Sequence, residues 1–172
     1  LGKHTFYEDE KLNKYVNKLG KALAQFANRP EIEFRFAVLD TDIVNAYAAP
    51  GGYIFITKGA LMKMEDEAEL AAVLSHEIAH VTERHIVREL NIKGTEVSPV
   101  SGFARALGGG SDAVRAVFTQ MVDKAAEILF EKGLKKQDEF DSDRVATTII
   151  STAGYDPSAL SRYLKKISGA AK

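Results

Sequence analysis

The sequence predicts an α+β fold, mostly helical, with a small sheet formed early in the chain. Three observations carry that prediction. Apolar residues recur at helical spacing in the first 27 residues and again over most of the second half. Between them, residues 31–57 switch to strict alternation and β-rich composition. No internal repeat or low-complexity tract interrupts the pattern. With 172 residues, 45% hydrophobic and 27% charged, the chain has the composition of one globular domain with a real core, expected to span 1–172.

Residues 11–27 place Leu12, Tyr15, Val16, Leu19, Leu23 and Phe26 on one helical face, and Asn28-Arg29-Pro30 ends that helix. In residues 31–40, Ile32, Phe34, Phe36 and Val38 alternate with polar neighbours, as in a half-buried strand. The turn Pro50-Gly51-Gly52 then leads into a second strand, Tyr53 to Thr57, giving a sheet of two or three strands. Asp66 and Glu69 have capping-box spacing at the head of a helix expected to run to about Leu90. Residues 94–110, rich in Gly, Ser and Pro, read as a long break, either a plain surface connection or a segment that partly covers a cleft. A long helix is expected from Asp112 to about Lys136, another over residues 137–154, and a last one over 158–167 after the turn at Gly154-Tyr155-Asp156-Pro157.

The net charge of −1 and the absence of any basic stripe argue against nucleic acid as a partner, and the lysines at 132–136 read as a solvated helix end. With no cysteine, disulfides, thiolate catalysis and thiolate-held metal are excluded. The longest uncharged run, residues 43–57, is broken by Pro50-Gly51-Gly52 and is too short to span a bilayer. A first residue of leucine, not methionine, fits either a processed chain or a piece of a longer one, from which any targeting segment could already be gone.

The stretch LSHEIAHVTERH, residues 74–85, holds three of the four histidines. His76 and His80 are one helical turn apart, so both imidazoles can converge on one ion, and Glu77 projects beside them where it can hold a water. Two satisfied core histidines would be the bland alternative, but chelate spacing around a glutamate inside a buried helix favours metal. His85, five residues past His80, would lie about 140° round a continuous helix, so its removal is expected to leave metal binding intact. His4 reads as a surface residue, and Glu83 lies about 10 Å along the axis from His76. A carboxylate from another element must therefore complete the site. DEFDSDR, residues 138–144, supplies Glu139 and Asp143, four apart. Either one can bind the ion while the other accepts a hydrogen bond from a ligand imidazole.

Together and in this order, NAYAAPGGYIFITKGAL, ELAAVLSHEIAHVTERH, EFDSD and AGYDP resemble the M48 family of zinc metallopeptidases, which includes prenyl proteases, heat-shock membrane proteases, and mitochondrial and periplasmic enzymes. The resemblance covers nearly the whole chain and implies a zincin-like domain of gluzincin type, its sheet packed on the active-site helix. It implies one Zn2+ held by His76, His80 and Glu139, with Asp143 behind a ligand histidine. Glu77 would be the catalytic base that activates a water on the metal. The strand Tyr53, Ile54, Phe55 and Ile56 would pair with an extended polypeptide substrate. The expected activity is hydrolysis of internal peptide bonds in cell-envelope protein quality control, in the bacterial periplasm or envelope. Envelope assembly partners or a following repeat domain would accompany it. The chain departs from the family in ending before a His-Pro and a downstream arginine usual in it. Tyr47, His85 and Arg144 are candidates to steady an oxyanion. The rival readings are a closed structural zinc site and a catalytically silent, chaperone-like or scaffold domain.

Overall fold

A computed structural model describes residues 6–89 and 134–169. Its elements are α1 (Glu10–Ala24), β1 (Arg35–Leu39), β2 (Ala46–Ala49), β3 (Tyr53–Thr57), α2 (Lys58–Leu61), α3 (Glu67–Thr82), α4 (His85–Glu89), α5 (Lys136–Thr152) and α6 (Ala159–Gly169). This is the helix-rich α+β arrangement with an early three-stranded sheet that the sequence predicts. His4, the break at 94–110 and most of the helix expected over 112–136 lie outside the described residues.

Asp9 caps α1 by accepting a hydrogen bond from Leu12 N at 3.0 Å, and the buried stripe of the helix is Val16, Leu19, Gly20 and Leu23. The helix stops at Ala24, three residues short of expectation, and Asn28 then turns the chain with φ 53°. Residues 45–57 form a hairpin of two strands, β2 and β3. Gly51 and Gly52 sit at the turn with φ of 89° and 85°, backbone that side-chain-bearing residues rarely adopt.

The sheet order is β1-β3-β2, with β3 parallel to β1 and antiparallel to β2. Phe36, Val38, Ile54 and Ile56 face one side and join Leu74 and Ile78 of α3 and Ile149 and Ile150 of α5 in the main core. Leu39, Tyr47 and Phe55 cluster on the other side. This topology corrects the expectation for Tyr53, Ile54, Phe55 and Ile56. As the central strand, β3 has both edges hydrogen-bonded and none to offer a substrate. The edge strands are β1, which Phe6 meets at Leu39, and β2.

Asp66 caps α3 by accepting from Glu69 N at 2.8 Å. The Glu69 carboxylate, 1% exposed, accepts in turn from Glu65 N at 2.9 Å and from Lys166 Nζ at 2.9 Å, tying the head of α3 to α6. From Glu69 to His80 every residue of α3 is buried except His76. The helix does not run on to Leu90. It ends at Thr82, whose carbonyl accepts from Arg29 Nη1 at 2.6 Å, and Arg84 takes φ 57° before α4 begins.

Gly59, where β3 passes into α2, donates its N–H to Thr41 O at 2.9 Å. A Cβ there would lie 2.2 Å from Asp42 O and 2.6 Å from Ile43 O, so an alanine must displace the backbone that feeds β2. We expect Gly59→Ala to destabilise the fold by about 1–3 kcal/mol, the usual cost of overpacking, measured as the shift of a denaturant midpoint. Wild-type stability would contradict this packing.

Candidate metal centre

Two long helices build the centre. α3 carries His76 and His80 one turn apart, with Nε2 atoms separated by 2.9 Å. α5 packs along α3 and brings Glu139 Oε2 to 3.2 Å from His76 Nε2 and 3.8 Å from His80 Nε2. Among the described residues these three form the group able to share one ion. A tetrahedral ion bonded at ~2.0–2.1 Å needs its donors ~3.3–3.4 Å apart. The three observed edges bracket that value, so the donors fit a zinc-sized ion. Two nitrogens and one oxygen also suit zinc chemically.

The imidazoles have partners on their far sides. Asp143 Oδ1, one helical turn beyond Glu139 on α5, lies 2.9 Å from His76 Nδ1, off the line of a well-aligned hydrogen bond. His80 Nδ1 meets Ser142 Oγ at 3.1 Å and His85 Nδ1 at 2.9 Å. This corrects the expectation that His85 faces away. That expectation extrapolated a continuous helix, whereas the turn at Arg84 starts a new helix that lays His85 against His80.

Glu77 is buried at the side of the pair, and its carboxylate accepts a hydrogen bond from the backbone N–H of Ala48 in β2. Burial pushes Glu77 up to about 7, with the positive charge on His76 and the Ala48 N–H pulling down and Glu139 pushing further up. Burial alone would lower His76, but Asp143 and Glu139 hold its proton and bring it to about 10. Burial, and then the neighbouring His76 and His85, press His80 down to about 2. Without an ion, therefore, a proton on His76 sits among these carboxylates.

The group opens into a cleft of about 400 Å³. β2 forms one rim with Ala46, Tyr47 and Ala48, while Leu160, Leu164 and Ile167 of α6 form an apolar wall. Antiparallel pairing alternates hydrogen-bonded and open positions. Asn45 O accepts from Thr57 N at 3.1 Å, which fixes the phase and turns the backbone groups of Ala46 and Ala48 to the outer edge. Of the three oxyanion candidates, Tyr47 lines the cleft, with its ring packed beside Leu39 and Phe55. His85 lies behind His80 and is fully buried, and Arg144 is exposed and absent from the cleft lining. Sequence reasoning missed Ser142 and Ala48. Ser142 had a readable signal, since it stands three residues after Glu139 on the same helical face. Ala48 acts through its backbone and leaves none.

Comparison with known proteins agrees with this geometry. A family profile, Peptidase family M48, matches residues 10–169. The beta-barrel assembly-enhancing protease of Yersinia pestis is 30% identical over 175 residues, covering 92% of this chain and 33% of that protein. The protease of the same name from Escherichia coli K12 is 26% identical, covering 96% and 34%. The mitochondrial metalloendopeptidase OMA1 of Schizosaccharomyces pombe is 26% identical, covering 84% and 41%. The chain spans about a third of the length of the assembly-enhancing proteases it matches. With the family profile covering all but its ends, the chain belongs to peptidase family M48.

Proposed function

We propose that this domain is a zinc-dependent metalloendopeptidase that cuts extended polypeptides at internal bonds. The observation that carries the reading is the meeting of His76 Nε2, His80 Nε2 and Glu139 at tetrahedral donor spacing, with buried Glu77 beside them at the floor of an open cleft. Two His and one carboxylate, with no fourth donor grouped with them among the described residues, leave a position open, as catalytic sites do and closed structural sites do not. Zinc held there supplies Lewis acidity, drawing the pKa of a bound water towards ~7 and polarising a carbonyl.

This chain's residues supply the rest. Glu77, its affinity for a proton raised by burial, takes the proton of the attacking water and delivers it to the leaving amine. Asp143 holds the His76 ring so that Nε2 faces the ion. At the rim, the carbonyls of Ala46 and Ala48 accept hydrogen bonds from a substrate strand added to the edge of β2 that no described strand covers. That makes an unfolded or locally extended segment the substrate, since the backbone must be bare to pair. The matched relatives named for beta-barrel assembly support a place in cell-envelope protein quality control, in the bacterial periplasm. Among the described residues no helix is long and apolar enough to cross a membrane.

Purified protein should bind one zinc per chain, and Glu139→Ala should lower that occupancy sharply in elemental analysis; full occupancy in the variant would overturn the ligand assignment. Glu77→Gln should keep its zinc while cleavage of an unstructured peptide falls about 10²–10⁴-fold, the range for loss of a general base. Undiminished cleavage would remove Glu77 from the reaction, and a wild-type protein that binds zinc yet cuts nothing would favour the silent scaffold. Asp143→Asn should weaken zinc affinity about 10–100-fold with the fold intact by circular dichroism.

A further inference from the structure

Behind His80, three buried polar atoms form a triangle that the peptidase chemistry does not use. His80 Nδ1 to His85 Nδ1 is 2.9 Å, Ser142 Oγ to His80 Nδ1 is 3.1 Å, and Ser142 Oγ to His85 Nδ1 is 3.2 Å. Ser142 and His85 are both fully buried, so water does not set the proton positions. We propose that His85 and Ser142 are positioning residues that fix the tautomer of His80, keeping a proton on its Nδ1 and leaving Nε2 bare for the metal. The inference rests on the zinc reading above.

Proton counting carries it. A neutral imidazole bears one N–H. Protons on both Nδ1 atoms would face each other across 2.9 Å, so one ring at most is protonated there. If that ring were His85, the proton of neutral His80 would sit on Nε2, at the donor triangle, and would block coordination. The surroundings favour the other choice. Asp138 Oδ1 lies 3.7 Å from His85 Nε2, too far for a hydrogen bond but close enough for its charge to favour an N–H on that side. Asp138 is itself held at 3.0 Å by Arg88, on the same short helix as His85. With its proton on Nε2, His85 turns a lone pair to the triangle. Ser142 then donates to His85 Nδ1 and accepts from His80 Nδ1–H, so both protons inside the triangle meet an acceptor. Metal-bound histidines generally need such a partner on the second nitrogen to fix tautomer and ring orientation. His76 uses a carboxylate; His80 uses a hydroxyl and a second imidazole.

The backbone is shaped for this contact. His85 reaches His80 only because Arg84 takes a left-handed φ of 57°, a conformation uncommon outside glycine and asparagine. A straight continuation would carry His85 away from the site.

The test compares His85→Ala, His85→Asn and Ser142→Ala with wild type in the full 172-residue chain. Zinc affinity is read by competition with a chromogenic chelator, ligand-field bands by cobalt substitution, and stability by melting of the metal-free protein. Asparagine places an amide group where His85 Nδ1 stood, so it can accept from His80 and Ser142. We expect His85→Ala and Ser142→Ala to bind zinc about 10–100-fold more weakly and to alter the cobalt bands, and His85→Asn to recover most of both. Wild-type affinity and bands in His85→Ala would overturn the proposal. So would His85→Asn performing no better than His85→Ala, which would mark the imidazole as packing alone. Failure of the wild-type chain to bind zinc through His76 and His80 would instead bring down the zinc reading, and this inference with it.

Discussion

Lone-pair donors held within 3.8 Å of one another in a mostly buried place repel unless positive charge lies between them. Much of this molecule is arranged around that constraint. α3 is buried along its middle and interrupted only at His76, so the His80 imidazole cannot swing out to water to relieve the crowding. α5 adds Glu139 and Asp143 to the same spot. A proton on His76 meets the charge requirement when no ion does. A dication meets it better, because it satisfies all three donors at once and releases that proton.

The scaffold that enforces this closeness is ordinary core packing. Ile54 and Ile56 from the sheet, Leu74 and Ile78 from α3, and Ile149 and Ile150 from α5 belong to one apolar cluster. The register of α5 against α3 therefore decides where Glu139 lands. At the head of α3, Glu69 and Lys166 fasten the helix to α6, which also walls the cleft with Leu160, Leu164 and Ile167. The same helix thus anchors the active helix and shapes the space beside it.

How much of this the sequence discloses depends on whether a feature lives in side-chain spacing. α1, α3, α5 and α6 are read from apolar periodicity, and the positions of His76, Glu77 and His80 from one helical turn. Glu139 and Asp143 stand out because they are four apart beside an apolar helix face. What is hidden in the sequence is backbone geometry. The order β1-β3-β2 puts β3 in the middle of the sheet, and nothing in Tyr53-Ile54-Phe55-Ile56 distinguishes a central strand from an edge. The turn at Arg84 has no glycine or proline to announce it, so a helix projected past Thr82 sends His85 the wrong way. Ala48 contributes an N–H that any residue but proline would own. The readable parts are the ones a composition or a period encodes; the rest is tertiary context.

The central claim is that His76, His80 and Glu139 hold one zinc ion. Diffraction from zinc-loaded crystals on both sides of the zinc absorption edge tests it most directly. The account predicts a single anomalous peak at ~2.0–2.2 Å from His76 Nε2, His80 Nε2 and a Glu139 oxygen. Within the cleft, Glu77 should stand beside the ion without coordinating it. A peak coordinated by Glu77 in place of Glu139, or a zinc-loaded crystal with no peak between these three side chains, would contradict it.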